Sequence, residues 1–386
     1  MKISHFIKEK KLESWLEKIS KGFIIYLPVQ DKKRNIIDFM KWENSIGEEK
    51  SKEGNKNNNR YEINLSEKTK KSPKHIFSPP TENLFEFEYK KDIEKPDIVN
   101  IDLKTPLSIK DISNDSNKKE IDSDRKIIFG IKPCDILAVK RMDKFFKKGD
   151  YKDPYYIKRR KGSIFISIGC DNPYPDCFCK LVGGHPFNFE YADIGMVKVD
   201  DGYAVIKLSD RVKWLIKEYN EFFEKEDLFD KYQDKIDEII SNSVKKISTS
   251  NYLSDISIEK IHFTMEKAFN LDIWKEITRN CISCAACTYV CPTCFCFSIG
   301  DEQRDLKGER YRAWDYCMNY YYNLEASGHN PRANIYQRYR NKANCKYNYN
   351  FKRYGNIFCV GCGRCIEVCP VGIDIREVVD TVLKNI

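Results

Sequence analysis

One cysteine pattern occurs twice in this chain. Residues 281–292 read CISCAACTYVCP, with Cys281, Cys284, Cys287, Cys291 and Pro292. Residues 359–370 read CVGCGRCIEVCP, with Cys359, Cys362, Cys365, Cys369 and Pro370. Three thiols at two-residue gaps are presented by a single tight loop, so such a stretch folds around something rather than into regular structure. The fourth thiol, set just before a proline, is carried away into the following turn. C-x2-C-x2-C-x3-C-P is the bacterial spacing for [4Fe-4S] ligation, in which the fourth cysteine serves the other cluster of a pair. The spacing therefore predicts two crossed sites: Cys281, Cys284, Cys287 and Cys369 for one, and Cys359, Cys362, Cys365 and Cys291 for the other. The competing use of eight thiols is a pair of four-cysteine zinc sites. Zinc ribbons are built from separated C-x2-C pairs, and two complete runs that both end in Cys-Pro depart from that.

Four further cysteines lie upstream. Cys134 follows the apolar run KIIFGI (126–131), Cys170 follows SIFISIG (163–169), and Cys177 and Cys179 sit in DCFC (176–179). Both apolar runs read as buried strands. If the strands are parallel neighbours, the four thiols gather at the carboxyl edge of one sheet, where α/β folds place ligands. Spacing alone leaves two readings, a third four-ligand site or four buried, inert thiols. His185 in VGGHPF (182–187) reads equally as a loop histidine or a ligand. Cys294, Cys296 and Cys317 are needed by neither ferredoxin-type site; general cysteine burial makes packing thiols near the metal the simplest reading of them, with a variant cluster as the alternative, and the sequence assigns no role to Cys345.

The rest of the chain divides around these features. Residues 1–125 read as an α/β region, with a first helix over roughly 3–20 and a strand in KGFIIYLPV (21–29). Two Lys/Asn-rich stretches, 43–60 and 113–126, read as mobile surface loops. Residues 126–210 continue the α/β pattern, with a helix in CDILAVKRMDKFF (134–146). A hairpin follows over 196–208, its turn expected at Asp201-Gly202. Residues 211–273 read as a charged helical linker. Residues 274–386 hold twelve of the sixteen cysteines and read as a mainly helical dicluster domain, with a long insert at 292–358. Basic and aromatic residues interleave near the end of the insert. They read as a helical wrap that offsets cluster charge, with an acidic-partner or RNA face as the alternative.

Composition narrows the class. Sixteen cysteines in 386 residues with 32% charged residues point to metal rather than disulfides in a cytoplasmic chain. No apolar stretch reaches the roughly 18–20 residues a membrane span needs. The formal charge of +9 counts cysteines as neutral. Three oxidised four-thiolate clusters at roughly −2 each would bring it to about +3, so the basic balance is weak support for nucleic-acid binding. No Walker loop, G-x-G-x-x-G fingerprint or nucleophile–base motif is present in the sequence.

Together, TENLFEFEY (81–89), IIFGIKPCDI (127–136), DPYYIKRRKG (153–162), DCFC, CPTCFCF (291–297), RAWDYC (312–317), NPR (330–332) and CVGCGRCIEVCP resemble a known family. It is that of sulfhydrogenase β subunits and the related electron-transfer chain of anaerobic sulfite reductase. The resemblance covers about 75–208 and 274 to the end. It implies an α/β N-terminal part joined to a ferredoxin-like dicluster domain, and a third [4Fe-4S] cluster on Cys134, Cys170, Cys177 and Cys179. It also implies a cytoplasmic relay subunit between a flavin-containing reductase and a hydrogenase or a sirohaem sulfite reductase subunit. Cys345-Lys346 replaces a His-Lys pair of the sulfite reductase relatives, which favours the hydrogenase side. The rival readings are a free ferredoxin-like carrier and, in another class, a nucleic-acid-binding protein with structural clusters.

Overall fold

The computed structural model describes residues 3–42, 60–91, 99–105, 125–224, 229–249 and 256–386. The stretches 43–60 and 113–126, expected as mobile loops, lie outside the described residues except at their C-terminal ends. In chain order the strands are β1 (His5–Lys8), β2 (Ile24–Asp31), β3 (Ile36–Lys41), β4 (Tyr61–Ile63), β5 (Thr81–Lys91) and β6 (Val99–Lys104). They continue with β7 (Lys126–Ile131), β8 (Ile164–Ile168), β9 (Ile194–Val199), β10 (Gly202–Leu208), β11 (Phe223–Glu224), β12 (Phe297–Arg304) and β13 (Lys307–Trp314).

Nine strands form one mixed sheet in the order β11-β1-β10-β9-β8-β7-β2-β3, with β4 also paired to β2. Its centre is parallel: β2 pairs with β7, β7 with β8 and β8 with β9. These strands are apolar along their length because both faces are covered. On β7, Ile127 and Phe129 enter a core shared with Trp15 and Leu16 of the helix Glu9–Ile19. Ile128 and Ile131 enter the opposite core with Ile136 and Met142 of the helix Pro133–Phe146. The period-two alternation of residues 127–129 thus feeds two layers, and the register shift between Phe129 and Ile131, at Gly130 with φ 72°, puts Ile131 in the second. The sheet takes strands from both sides of the expected boundary at residue 125.

The hairpin β9–β10 forms as expected, but the connecting residues are Asp200 and Asp201, with Asp200 at φ 49°. Gly202 already belongs to β10, where a Cβ would lie 2.5 Å from the Ile7 carbonyl oxygen and 2.5 Å from the Phe6 ring. Close approach of β1, not turn geometry, is what requires glycine there.

A second, antiparallel sheet has the order β12-β13-β5-β6. Two of its strands come from the N-terminal half and two from the insert, so the sheet crosses the expected boundary at residue 274. The first part of the insert is therefore a β-hairpin. Its helical part is a 3-10 turn at Tyr321–Asn323, the helix Ile335–Asn344, a π-helical turn at Cys345–Tyr349, and Asn350–Tyr354. The C-terminal part is otherwise helical around Trp274, Tyr339, Tyr347 and Val379, with Cys281, Cys287, Cys359 and Cys365 packed against that core. Among the described residues no helix is long and apolar enough to cross a membrane.

Candidate iron–sulfur sites

The two cysteine runs fold into the same local shape. In the second, Gly361 and Gly363 take φ of 63° and 75° before the short helix Arg364–Glu367. In the first, the equivalent positions are Ser283 and Ala285, at φ 58° and 60°, before Ala286–Tyr289. Left-handed conformation at a non-glycine residue costs roughly 1–3 kcal/mol and persists where the surroundings impose it, typically at functional sites. Here it turns main-chain N–H groups toward sulfur. Ser283 N donates to Cys281 Sγ at 3.5 Å, and the Gly361 N–H donates to Cys359. Ile373 N donates to Cys369 Sγ at 3.3 Å, and Cys291 Sγ lies 3.4 Å from Thr293 Oγ1. Such hydrogen bonds lower the cost of holding thiolate and tune a cluster's potential.

Cys281, Cys284, Cys287 and Cys369 line one cavity, with Lys342 and Cys365 in its wall. Cys284 is exposed, so this site reaches the surface. Cys359, Cys362 and Cys365 each lie within electrostatic reach of Cys291. Cys134, Cys170, Cys177 and Cys179 line a second cavity together with Cys362. Cys134 and Cys170 follow the parallel neighbours β7 and β8, and the helix Phe229–Thr249 covers the site with Ile247. Ser243 Oγ donates to the Cys170 carbonyl at 2.6 Å. His185 also lines this cavity, but its Nδ1 accepts from Phe187 N at 3.1 Å.

Burial pushes the thiols of Cys170 and Cys362 up to about 11 and that of Cys179 to about 12. Ionising them would require positive charge nearby, from a bound metal and from the protein. The protein's share is a set of buried cations that sequence reasoning missed. Lys68 Nζ lies 4.0 Å from Cys177 Sγ and donates to the Cys362 carbonyl at 2.7 Å. Lys132 interacts with Cys170 while donating to the carbonyls of Leu65, Ser66 and Gly169. Lys342 hydrogen-bonds Cys287 and faces Cys365. Arg364, 1% exposed, makes a two-pronged ion pair with Asp135 at 2.6 and 2.8 Å and donates to the Thr69 carbonyl at 2.8 Å. Asp135, in the first turn of the helix Pro133–Phe146 that follows β7, thereby ties that helix to the second cysteine run. With 67 lysines and arginines in the chain, nothing in the sequence singles these out.

The protein side of these sites fits cubane clusters: grouped thiols, N–H donors to sulfur and buried cations. Among the described residues no three His, Cys, Asp or Glu side chains are placed to hold a single metal ion. A tetrahedral zinc with Zn–S bonds near 2.3 Å needs thiols closer together than a cubane does.

Residues 280–373 match a 4Fe-4S dicluster domain, which makes this an iron–sulfur electron-transfer protein. Sulfhydrogenase 2 subunit beta of Pyrococcus furiosus is 33% identical over 276 residues, covering 69% of this chain and 77% of the relative. The chain belongs to the sulfhydrogenase β-subunit family. No solved structure gives a significant match.

Proposed function

We propose that the chain is a relay subunit carrying three [4Fe-4S] clusters between a flavin-containing reductase and a hydrogenase-type catalytic partner. The clusters supply one-electron transfer; the chain's residues space them, shield them and set the charge around them. One observation carries the reading: the three four-cysteine groups are contiguous. Lys342 faces Cys287 of one group and Cys365 of the next. Cys362 of that second group lines the cavity of the third, and Cys177 Sγ is 3.7 Å from the Cys362 carbonyl. The first group reaches the surface at Cys284, beside Ile282, which is 62% exposed. That is the form of a path with an accessible end rather than of three structural staples. The Pyrococcus relative is by name a sulfhydrogenase subunit, which favours hydrogenase over sirohaem sulfite reductase as the catalytic partner.

The test is anaerobic native purification of the tagged chain followed by mass spectrometry, with the Cys362→Ser variant assayed in the same complex. Co-purified flavoprotein and hydrogenase subunits, and loss of electron transfer between them in the variant, are expected. A chain that purifies alone, or a complex whose electron transfer is unchanged by Cys362→Ser, would contradict the relay.

A further inference from the structure

Twelve of the sixteen cysteines belong to the sites above. The other four, Cys294, Cys296, Cys317 and Cys345, lie on three separate segments, and the fold brings those segments together. Asp315 N donates to the Cys296 carbonyl at 3.4 Å, setting the residues before Cys317 against the Cys294–Cys296 loop. Lys346 Nζ donates to the Thr293 carbonyl at 2.9 Å and to Thr293 Oγ1 at 3.1 Å, setting Cys345 beside the same loop. Cys317 is within electrostatic reach of both Cys296 and Cys345, and Tyr322 hydrogen-bonds Cys296 while facing Cys317.

The surroundings repeat those of the other sites. Cys345 opens the π-helical turn that interrupts the insert's helix, a distortion frequent at functional sites. Asn350 Nδ2 donates to the Cys345 carbonyl at 2.6 Å and to its Sγ at 3.3 Å, and Asn341 hydrogen-bonds Cys317. Two buried lysines flank the group, Lys74 at 5% exposure and Lys346 at 4%. Lys74 donates to the carbonyls of Cys291 and Cys294 and to the Tyr316 hydroxyl at 2.9, 3.2 and 2.9 Å, with the Trp314 ring 4.2 Å away. An ammonium taken from water costs several kcal/mol unless an anion compensates it. The anions facing this pair are thiolates: both lysines interact with Cys291 and Cys294. Cys291 already belongs to the second run's site, so Cys294 is the further thiolate that these two cations face. The sequence carries an echo as well, since the Cys-Phe-Cys of residues 294–296 repeats that of 177–179.

We propose that Cys294, Cys296, Cys317 and Cys345 hold a further [4Fe-4S] cluster, next to the second run's site, since Cys294 N donates to the Cys291 carbonyl at 3.3 Å. This rests on the chain being an iron–sulfur protein but not on the Cys134 group. The second run's site then has three neighbours: the first run through Cys365 and Lys342, the Cys134 group through Cys362, and the new site through Cys291. It is a junction rather than a link in a line.

The test compares anaerobically purified holoprotein with the Cys317→Ser/Cys345→Ser double variant for iron, acid-labile sulfide and zinc. The variant is expected to lose about four irons and about four sulfides per chain, while the EPR signals of the paired ferredoxin-type clusters remain. Equal iron in the two proteins overturns the proposal, and so does a loss of zinc instead of iron. Cys345→His covers the case in which the double variant does not fold. Imidazole in place of thiolate raises a cluster's potential, so one potential should rise with the iron count retained. A folded, fully loaded Cys345→His protein with every potential unchanged overturns the assignment.

Discussion

Lys342 separates an electrostatic role for the buried cations from a packing role. It is 5% exposed on the helix Ile335–Asn344, with the Tyr339 ring 4.9 Å from its Nζ. Burial works against its charge, but Cys287, Tyr339 and Cys365 outweigh burial and hold its pKa well above the ordinary lysine value. The ammonium therefore stays charged between two thiol groups. Reducing a cluster adds negative charge, which a neighbouring cation favours, so removing the cation should lower the potential. At about 4 Å and an effective dielectric of about 20, a unit charge pair is worth about 4 kcal/mol. For a one-electron couple, about 59 mV per 1.4 kcal/mol makes that about 170 mV. The added electron is spread over the cluster, and doubling the mean distance halves the figure to about 80 mV.

Lys342→Met keeps the length and apolar stem of the side chain, so a fall of about 80–170 mV with iron content unchanged is the expected result. The assay is an anaerobic potentiometric titration followed by EPR. Lys352→Met is the control: Lys352 is 51% exposed and paired with Glu266, so solvent screening should hold its effect below about 15 mV. A fully loaded Lys342→Met protein whose potentials stay within the control's range, or rise, would refute the electrostatic role.

Two further substitutions test how the sites are held together. Gly361→Ala would place a Cβ 2.5 Å from the Cys179 Cα and N, at φ 63°. Strain of about 1 kcal/mol and overpacking of about 1–3 kcal/mol predict a loss of about 2–4 kcal/mol in anaerobic urea unfolding, and an unchanged midpoint would refute the close contact. Asp135→Asn would strand the buried Arg364 charge and should cost about 3–5 kcal/mol by the same measurement. Adding Arg364→Met should recover most of that loss, and failure to recover would show that the ion pair is not its source.

The parts of the fold that are legible in the sequence are those whose signal is local. Both cysteine runs show themselves within twelve residues. β7, β8 and the helix Pro133–Phe146 are marked by apolar runs and helical spacing. The second sheet is not local in this sense. Arg312 on β13 pairs with Glu82 on β5, at 2.7 Å, across most of the chain. Its outer strand β12, FSIGDEQR, is largely exposed, so it lacks the apolar alternation that marks a half-buried strand. Asp-Gly is the stronger turn signal and places the hairpin turn one residue late, because the glycine is needed for the approach of β1. The four unassigned cysteines are hidden for a related reason. Their grouping is marked by three hydrogen bonds that join the insert to itself, and the spacing of residues 294, 296, 317 and 345 matches no linear motif.

The buried lysines explain why the cysteine runs are embedded in a chain of this size. Lys68 and Lys74 stand on one segment between β4 and β5, yet they serve different thiol groups: Lys68 reaches Cys177 and Lys74 reaches the Cys291–Cys294 carbonyls. Between them, Thr69 receives Arg364, and just before them the carbonyls of Leu65 and Ser66 receive Lys132. A strap of about ten residues is thus tied to every four-cysteine group except the one that reaches the surface. Each tie satisfies a cation or a carbonyl that would otherwise be buried alone, at a cost of about 1–3 kcal/mol or more apiece. The strap and the groups it touches must therefore order together, so the geometry between clusters is fixed by the N-terminal half of the chain as much as by the cysteine runs. A two-cluster ferredoxin needs only its own loops to hold a pair. Holding several groups around one junction requires cations delivered from outside those loops, and the α/β half with its strap delivers them.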